Sequence, residues 1–139
     1  MRPRATPPTG KLWPEGDFFV VAAPATGATE KMIGARELGA MQDHAWVVNV
    51  ARGSLIDTNA LVEALAEERI GGAALDVTDP EPLPDGHPLW TEPRALITPH
   101  TANPPDALAR ALAGRIEENV ARFGADEELI GLIDVEAGY

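Results

Sequence analysis

Four short apolar runs punctuate the chain, separated by polar stretches with a longer hydrophobic period. Residues 18–22 read Phe-Phe-Val-Val-Ala and are followed closely by Pro24; their brevity and their aromatic and β-branched content predict a fully buried strand rather than a helix. Residues 46–50, 73–77 and 95–97 predict three more strands. Between the second and third, Asp57 or Thr58 offers an N-cap to a helix running to about residue 67, with Leu61, Val62 and Leu65 on one face and Gly71-Gly72 beyond its end. A last helix is marked by Asn103 as N-cap, Pro104 in the first turn, Leu108, Leu112, Ile116 and Val120 at every fourth position, and Gly124 as terminator. A further helix is expected over residues 29–41, interrupted by Gly34 and Gly39. Strands alternating with helices predict an α/β fold with a parallel sheet and right-handed crossovers.

The stretch 78–93 breaks this rhythm, because five prolines, at 80, 82, 84, 88 and 93, exclude a helix or a central strand. A loop of this length inside a compact domain is usually functional. Residues 1–16 read as an irregular leader: Arg2, Arg4 and Lys11 lie among prolines at 3, 7, 8 and 14, without the apolar stretch a signal peptide needs.

With 139 residues the chain suits one domain able to bury a real core. Acidic residues outnumber basic ones by 22 to 11, and the net charge of −11 argues against nucleic acid or an anionic membrane surface as partner. Cysteine is absent, which excludes disulfides and thiolate metal sites and suits a cytoplasmic setting. Apolar runs stay far below the roughly 20 residues of a membrane span, and the histidines lack metal-ligand spacing.

Three polar residues follow predicted strands: Arg52 in Asn49-Val50-Ala51-Arg52-Gly53, Glu81 beyond Ala74-Leu75-Asp76-Val77, and His100 in Thr98-Pro99-His100. In a parallel sheet the carboxyl ends of the strands line one crevice, so residues distant in sequence converge there. Arg52 offers a planar two-donor fork for a carboxylate. His100 offers a proton acceptor and donor that titrates near neutrality, and Glu81, placed beside it, would favour the imidazolium and orient the ring. Taken singly, each fits a plainer role: a strand-end arginine, a solvated acidic loop with Asp79 and Asp85, a capping or buried histidine. Their joint pattern is what points to hydride transfer between a nicotinamide and a 2-hydroxy acid. His44 and His87 read as loop histidines without a role.

These phrases resemble the D-isomer-specific 2-hydroxyacid dehydrogenase family from about residue 17 onward, through Ala22-Ala23-Pro24-Ala25-Thr26, Val48-Asn49-Val50-Ala51-Arg52-Gly53, Gly72-Ala73-Ala74-Leu75-Asp76-Val77, Glu81-Pro82, His87-Pro88-Leu89 and Ile97-Thr98-Pro99-His100-Thr101. The separations of 29 positions from Arg52 to Glu81 and 19 from Glu81 to His100 also resemble the family's catalytic arginine, glutamate and histidine. The resemblance implies NAD or NADP as cofactor and a small 2-hydroxy or 2-oxo acid as substrate. It implies cofactor contacts at Ala23 and Pro24 beside the adenosine, Thr29 opening the following helix, Val50 and Ala51 under the nicotinamide ribose, Arg52, His100, and Asp76 at the carboxamide. Asp76 fits a strand-terminal turn residue equally well.

The chain contains no Gly-x-Gly-x-x-Gly turn for the pyrophosphate. The expected fold is therefore a partial Rossmann-like parallel sheet with flanking helices, the C-terminal half of a doubly wound domain over residues 17–124, followed by a tail over 125–139 that resembles the segment returning to the family's substrate domain. An N-terminally truncated chain of this kind is expected to expose an apolar sheet edge at residues 18–22, to form a homodimer or depend on a partner chain, and to turn over little alone. The alternative is a non-catalytic remnant or interaction module.

Overall fold

The computed structural model describes residues 12–136. Residues 1–11 of the expected leader and 137–139 of the expected tail lie outside the described residues. Two compact units are present, one ending at Pro99 and the other beginning at His100.

The first unit is built on four parallel strands, β1 (Phe18–Val21), β2 (Trp46–Asn49), β3 (Gly72–Leu75) and β4 (Ala95–Ile97), ordered β1-β2-β3-β4. The register pairs Val21 with Asn49 and Asn49 with Leu75, so the strands end nearly level. Three strands stop short of the apolar runs: β1 at Val21, β2 at Asn49 and β3 at Leu75, leaving Ala22, Val50 and Asp76 just beyond.

Alternation along the strands puts Phe19, Val21, Val47, Asn49, Ala73 and Leu75 on one buried face. There they join one core cluster, apart from Asn49, with Leu38 of α1 (Ala35–Leu38) and with Leu61, Ala64 and Leu65 of α2 (Thr58–Ala66). Burying each large aliphatic side chain in such a core stabilises the fold by roughly 1.5–3 kcal/mol. Asp57 caps α2, its carboxylate accepting from the Asn59 and Ala60 amides at 3.1 and 3.3 Å. The Ala60 amide and then Lys31, 3.2 Å away, hold that carboxyl below the usual carboxylate range.

The opposite sheet face corrects the expectation of a fully buried first strand: Phe18 is 70% and Val20 63% exposed. As an edge strand, β1 borders a groove of about 440 Å³ lined by Leu12, Trp13, Phe18, Val20, Ala22 and Met32, among others. Trp13, in the segment read as leader, is buried against Phe19 with ring centroids 5.0 Å apart. At the amino ends of β1 and β2, His44 Nε2 lies 2.8 Å from Asp17 Oδ1, and this bond raises the imidazole pKa above its ordinary value.

The helix expected over residues 29–41 is reduced to α1. Upstream of it the backbone is engaged in a different pairing: Ile33 bridges Ile56 in parallel, with Ile33 N–H donating to the Leu55 carbonyl and Asp57 N–H to the Ile33 carbonyl at 3.1 and 2.9 Å. Helix formation starts only after Gly34, whose N–H donates to the Glu37 carboxylate at 3.1 Å. The proline-rich loop holds one 3-10 turn, Pro88–Trp90, capped by His87 Nδ1, which accepts from the Leu89 amide.

The second unit is dominated by α3 (Pro105–Gly124). Its N-cap is Pro104 rather than Asn103, because proline already has the fixed φ and extended ψ of a cap residue and the next proline supplies the first helical position. Leu108, Leu112, Ile116 and Val120 form the expected stripe and are exposed. Asn119 brackets Ile130 with two bonds, 2.9 and 3.1 Å, folding the following segment back along the helix. Among the described residues, no helix is long and apolar enough to cross a membrane.

Candidate active site at the carboxyl ends of the strands

Because all four strands run in parallel, the residues that leave their carboxyl ends share one edge of the sheet. Ala23 and Pro24 follow β1, Val50, Ala51 and Arg52 follow β2, Asp76 follows β3 and Thr98 follows β4. Backbone bonds tie these exits together: Val50 N–H donates to the Val21 carbonyl, Asp76 N–H to the Asn49 carbonyl and Thr98 N–H to the Leu75 carbonyl, at 3.4, 3.0 and 3.0 Å.

Arg52 is exposed at this edge, with Nη1 donating to the Ala51 carbonyl at 2.6 Å. Its turn is shaped by Asn49, which is only 1% exposed. The Asn49 carboxamide oxygen accepts from Ala51 N–H at 3.1 Å, while its nitrogen donates to the Arg52 carbonyl at 2.9 Å. Sequence reasoning gave Asn49 no role; its one signal was a polar residue closing an otherwise apolar strand.

Asp76 is 7% exposed, and its carboxylate accepts from the Thr98 hydroxyl at 2.5 Å. Burying a carboxylate is costly unless hydrogen bonds compensate, so this bond stabilises both strand ends. Thr98 was also outside the expected set. Ala51 and Ala23 are partly buried against the core, whereas Val50 and Pro24 are exposed.

Thr29 departs from its expected place, because it closes a turn and does not open a helix. Its hydroxyl donates to the Pro24 carbonyl at 2.7 Å and accepts from Thr26 N–H at 2.8 Å, which ties the segment back onto the exit of β1. Glu81 is exposed in the loop after β3. That loop is anchored where Gly53 meets it: a Cβ on Gly53 would lie 1.9 Å from the Thr78 carbonyl oxygen, so only glycine allows this approach. His100 opens the second unit, with φ at +54°, three positions past the end of β4. The arrangement within the first unit thus gathers Arg52, Asp76 and Thr98 at one edge and leaves Glu81 on the adjoining loop. Among the described residues, no cluster of three or more His, Cys, Asp or Glu could hold a metal ion.

Comparison with known proteins matches the chain to a family. Residues 5–102 fit the family described as D-isomer specific 2-hydroxyacid dehydrogenase, NAD binding domain. The chain is 50% identical over 129 residues to a protein of the proB 3′ region of Corynebacterium melassecola, covering 92% of this chain and 42% of that one. It is 36% identical to the glyoxylate reductase of Korarchaeum cryptofilum, over 93% of this chain and 39% of the relative. Among solved structures, the D-isomer specific 2-hydroxyacid dehydrogenase of Xanthobacter autotrophicus, in complex with NADPH and MES, superposes with a TM-score of 0.82 at 39% identity, covering 89% of this chain and 50% of that one. The chain therefore spans about half or less of the length of these relatives, and the part it spans carries the partial Rossmann-like parallel sheet expected from sequence. With its strand-end arginine, its buried aspartate and the matched stretch through residue 102, the chain belongs to the D-isomer-specific 2-hydroxyacid dehydrogenase family, in its NAD-binding domain.

Proposed function

We propose that this chain carries the nicotinamide-side half of an NAD- or NADP-dependent oxidoreductase that interconverts a small 2-hydroxy acid and its 2-oxo acid. The observation that supports this most directly is the gathering of Arg52, buried Asp76 and Thr98 at the carboxyl edge of a parallel sheet, in a chain related to a glyoxylate reductase and to an NADPH-bound dehydrogenase. The residues at that edge suit a dinucleotide: small Ala22, Ala23 and Ala51 leave room at the strand ends, and the buried carboxylate of Asp76 suits a carboxamide N–H. Val50, Ala51 and Asp76 would hold the nicotinamide end, and Ala23, Pro24 and Thr29 the adenosine end. When bound, the nicotinamide supplies the hydride acceptor or donor.

Arg52 receives the substrate carboxylate in its two-donor fork, fixing the reacting carbon. During oxidation His100 takes the hydroxyl proton as the C–H hydride leaves and the carbonyl forms; during reduction it returns that proton to the nascent alkoxide. Glu81 is the third residue of the proposed set, the carboxylate that the family resemblance assigns beside a catalytic histidine. A cysteine-free chain of this kind suits a reducing cytoplasm. A second reading, an interaction module that works through a partner chain or a homodimer, is favoured by the exposed Phe18 and Val20 on the β1 edge.

Calorimetry of NADH and NADPH binding to the purified chain, followed by titration with glyoxylate, tests the first reading. Micromolar binding of the dinucleotide, with glyoxylate affinity about tenfold or more weaker in Arg52→Lys, is the expected result, since lysine keeps the charge but loses the fork. Absence of binding by either dinucleotide overturns it.

A further inference from the structure

The side-chain amide of Asn49 spends both of its ends on the three residues that follow it, accepting from Ala51 N–H and donating to the Arg52 carbonyl. That same carbonyl accepts from Leu55 N–H at 3.3 Å, so the 3-10 turn Gly53–Leu55 hangs on an oxygen that Asn49 holds in place. One residue further on, Gly53 rests against the Thr78 backbone, where a Cβ would meet the carbonyl oxygen at 1.9 Å and the carbonyl carbon at 2.0 Å. Beside this contact the Thr58 hydroxyl, in the first turn of α2, donates to the Asp79 carbonyl at 2.7 Å. The loop that bears Arg52 and the loop that bears Glu81 are thereby braced against each other through contacts to their backbone.

We infer that Asn49, Gly53 and Thr58 are positioning residues, which mount the Arg52 turn and the 78–81 loop as one rigid piece and so set where the arginine fork receives a carboxylate. The inference rests on the proposed role of Arg52, but the mount itself can be measured without it. The hydrogen bonds of Asn49 and Thr58 and the close approach of Gly53 all fall on backbone atoms, and a buried amide with donor and acceptor both satisfied restricts a turn more tightly than an apolar residue of the same volume would.

The test compares the full chain with its Asn49→Asp and Thr58→Val variants by amide hydrogen exchange and by glyoxylate titration in the presence of NADH. Asn49→Asp keeps the acceptor for Ala51 N–H but sets a carboxylate oxygen against the Arg52 carbonyl. Exchange at Leu55 is expected to rise about tenfold or more, the loss of one hydrogen bond, while Ala51, Gly71 and Ala73 keep their protection. Lowering the pH until the introduced carboxyl protonates restores a donor, and the Leu55 protection is expected to return with it. Thr58→Val, at a helix surface where folding is secure, is expected to speed exchange at Asp79 and Glu81. Both variants are expected to weaken glyoxylate about tenfold, Thr58→Val without changing NADH affinity.

Unchanged exchange at Leu55 in Asn49→Asp overturns the mount, as does unchanged exchange at Asp79 and Glu81 in Thr58→Val should the first variant fail to fold. If exchange responds as expected but the unaltered chain binds no glyoxylate, the mount stands and the role proposed for Arg52 fails.

Discussion

The hydroxyl of Thr98 reaches the carboxylate of Asp76 at 2.5 Å, joining the exits of two neighbouring parallel strands just before the chain arrives at His100. Asp76 is buried, so removing this donor takes a charge-assisted bond from a carboxylate that water reaches poorly. Thr98→Val, which preserves shape, is expected to destabilise the fold by about 1–3 kcal/mol in urea denaturation, and Thr98→Ser to recover most of that loss. Equal midpoints for the valine and serine variants would show that the bond contributes nothing.

A second expectation concerns Asp57 and acid. Its carboxyl is held below the ordinary range, first by the Ala60 amide and then by Lys31, so its contribution is present above the unfolded-state pKa and is lost as pH falls through the depressed folded value. Asp57→Ala is expected to cost roughly 1 kcal/mol near neutral pH, the usual value of an N-cap. The difference from the unaltered chain should shrink on acidification below the carboxylate range. A gap that stays constant with pH would sink the electrostatic part of this account.

His44 runs in the opposite direction. Its pKa is raised, chiefly by the hydrogen bond it donates to Asp17, and a group with a raised folded pKa stabilises the fold fully below its unfolded pKa and ceases to do so as pH climbs through the folded one. An NMR titration of the imidazole is expected to give a midpoint above that of a free histidine, and Asp17→Asn is expected to bring it down. Insensitivity of the midpoint to that substitution would show that the pair is not formed in solution.

The outer edge of β1, unpaired among the described residues, makes a prediction about size. Phe18 and Val20 are exposed on a strand whose outer backbone groups invite pairing. The chain is expected to scatter light as a species larger than a monomer, and Val20→Lys, which places a charge on that edge, is expected to shift it toward monomer mass. A single symmetric monomer peak for the unaltered chain would remove the reason for invoking a partner.

Much of this was readable before the structure because parallel strands announce themselves: a run such as Val47-Val48 between turn signals has few other uses. The cap of α2 was equally plain, since Asp57 stands where the apolar period begins. What could not be read depends on partners distant in sequence. Residues 31–33 lie directly before the short helix α1, yet Ile33 pairs with Ile56, and local propensity carries no trace of a contact 23 positions away. Thr29 fails as a helix opener for a local reason instead: its hydroxyl is spent on the Pro24 carbonyl and the Thr26 amide. The exposure of Phe18 and Val20 was expected from the resemblance to a longer sheet and not from hydrophobicity, because an apolar run says how a strand can be covered and not whether it is. At the candidate site Arg52, Glu81 and His100 stood out by chemistry, whereas Asn49 and Thr98 act through backbone and neighbours and leave only a polar letter beside an apolar one.

The tilted packing of Trp13 against Phe19 fixes how short a version of this chain could be and still fold. Trp13 belongs to no strand, yet a piece beginning at Phe18 would leave a void the size of an indole against the first buried ring of the sheet, a defect that costs about 3–5 kcal/mol when a core tryptophan is lost. The sequence boundary of the folding unit therefore lies upstream of its first strand, inside a stretch whose prolines and charges advertise nothing of the kind.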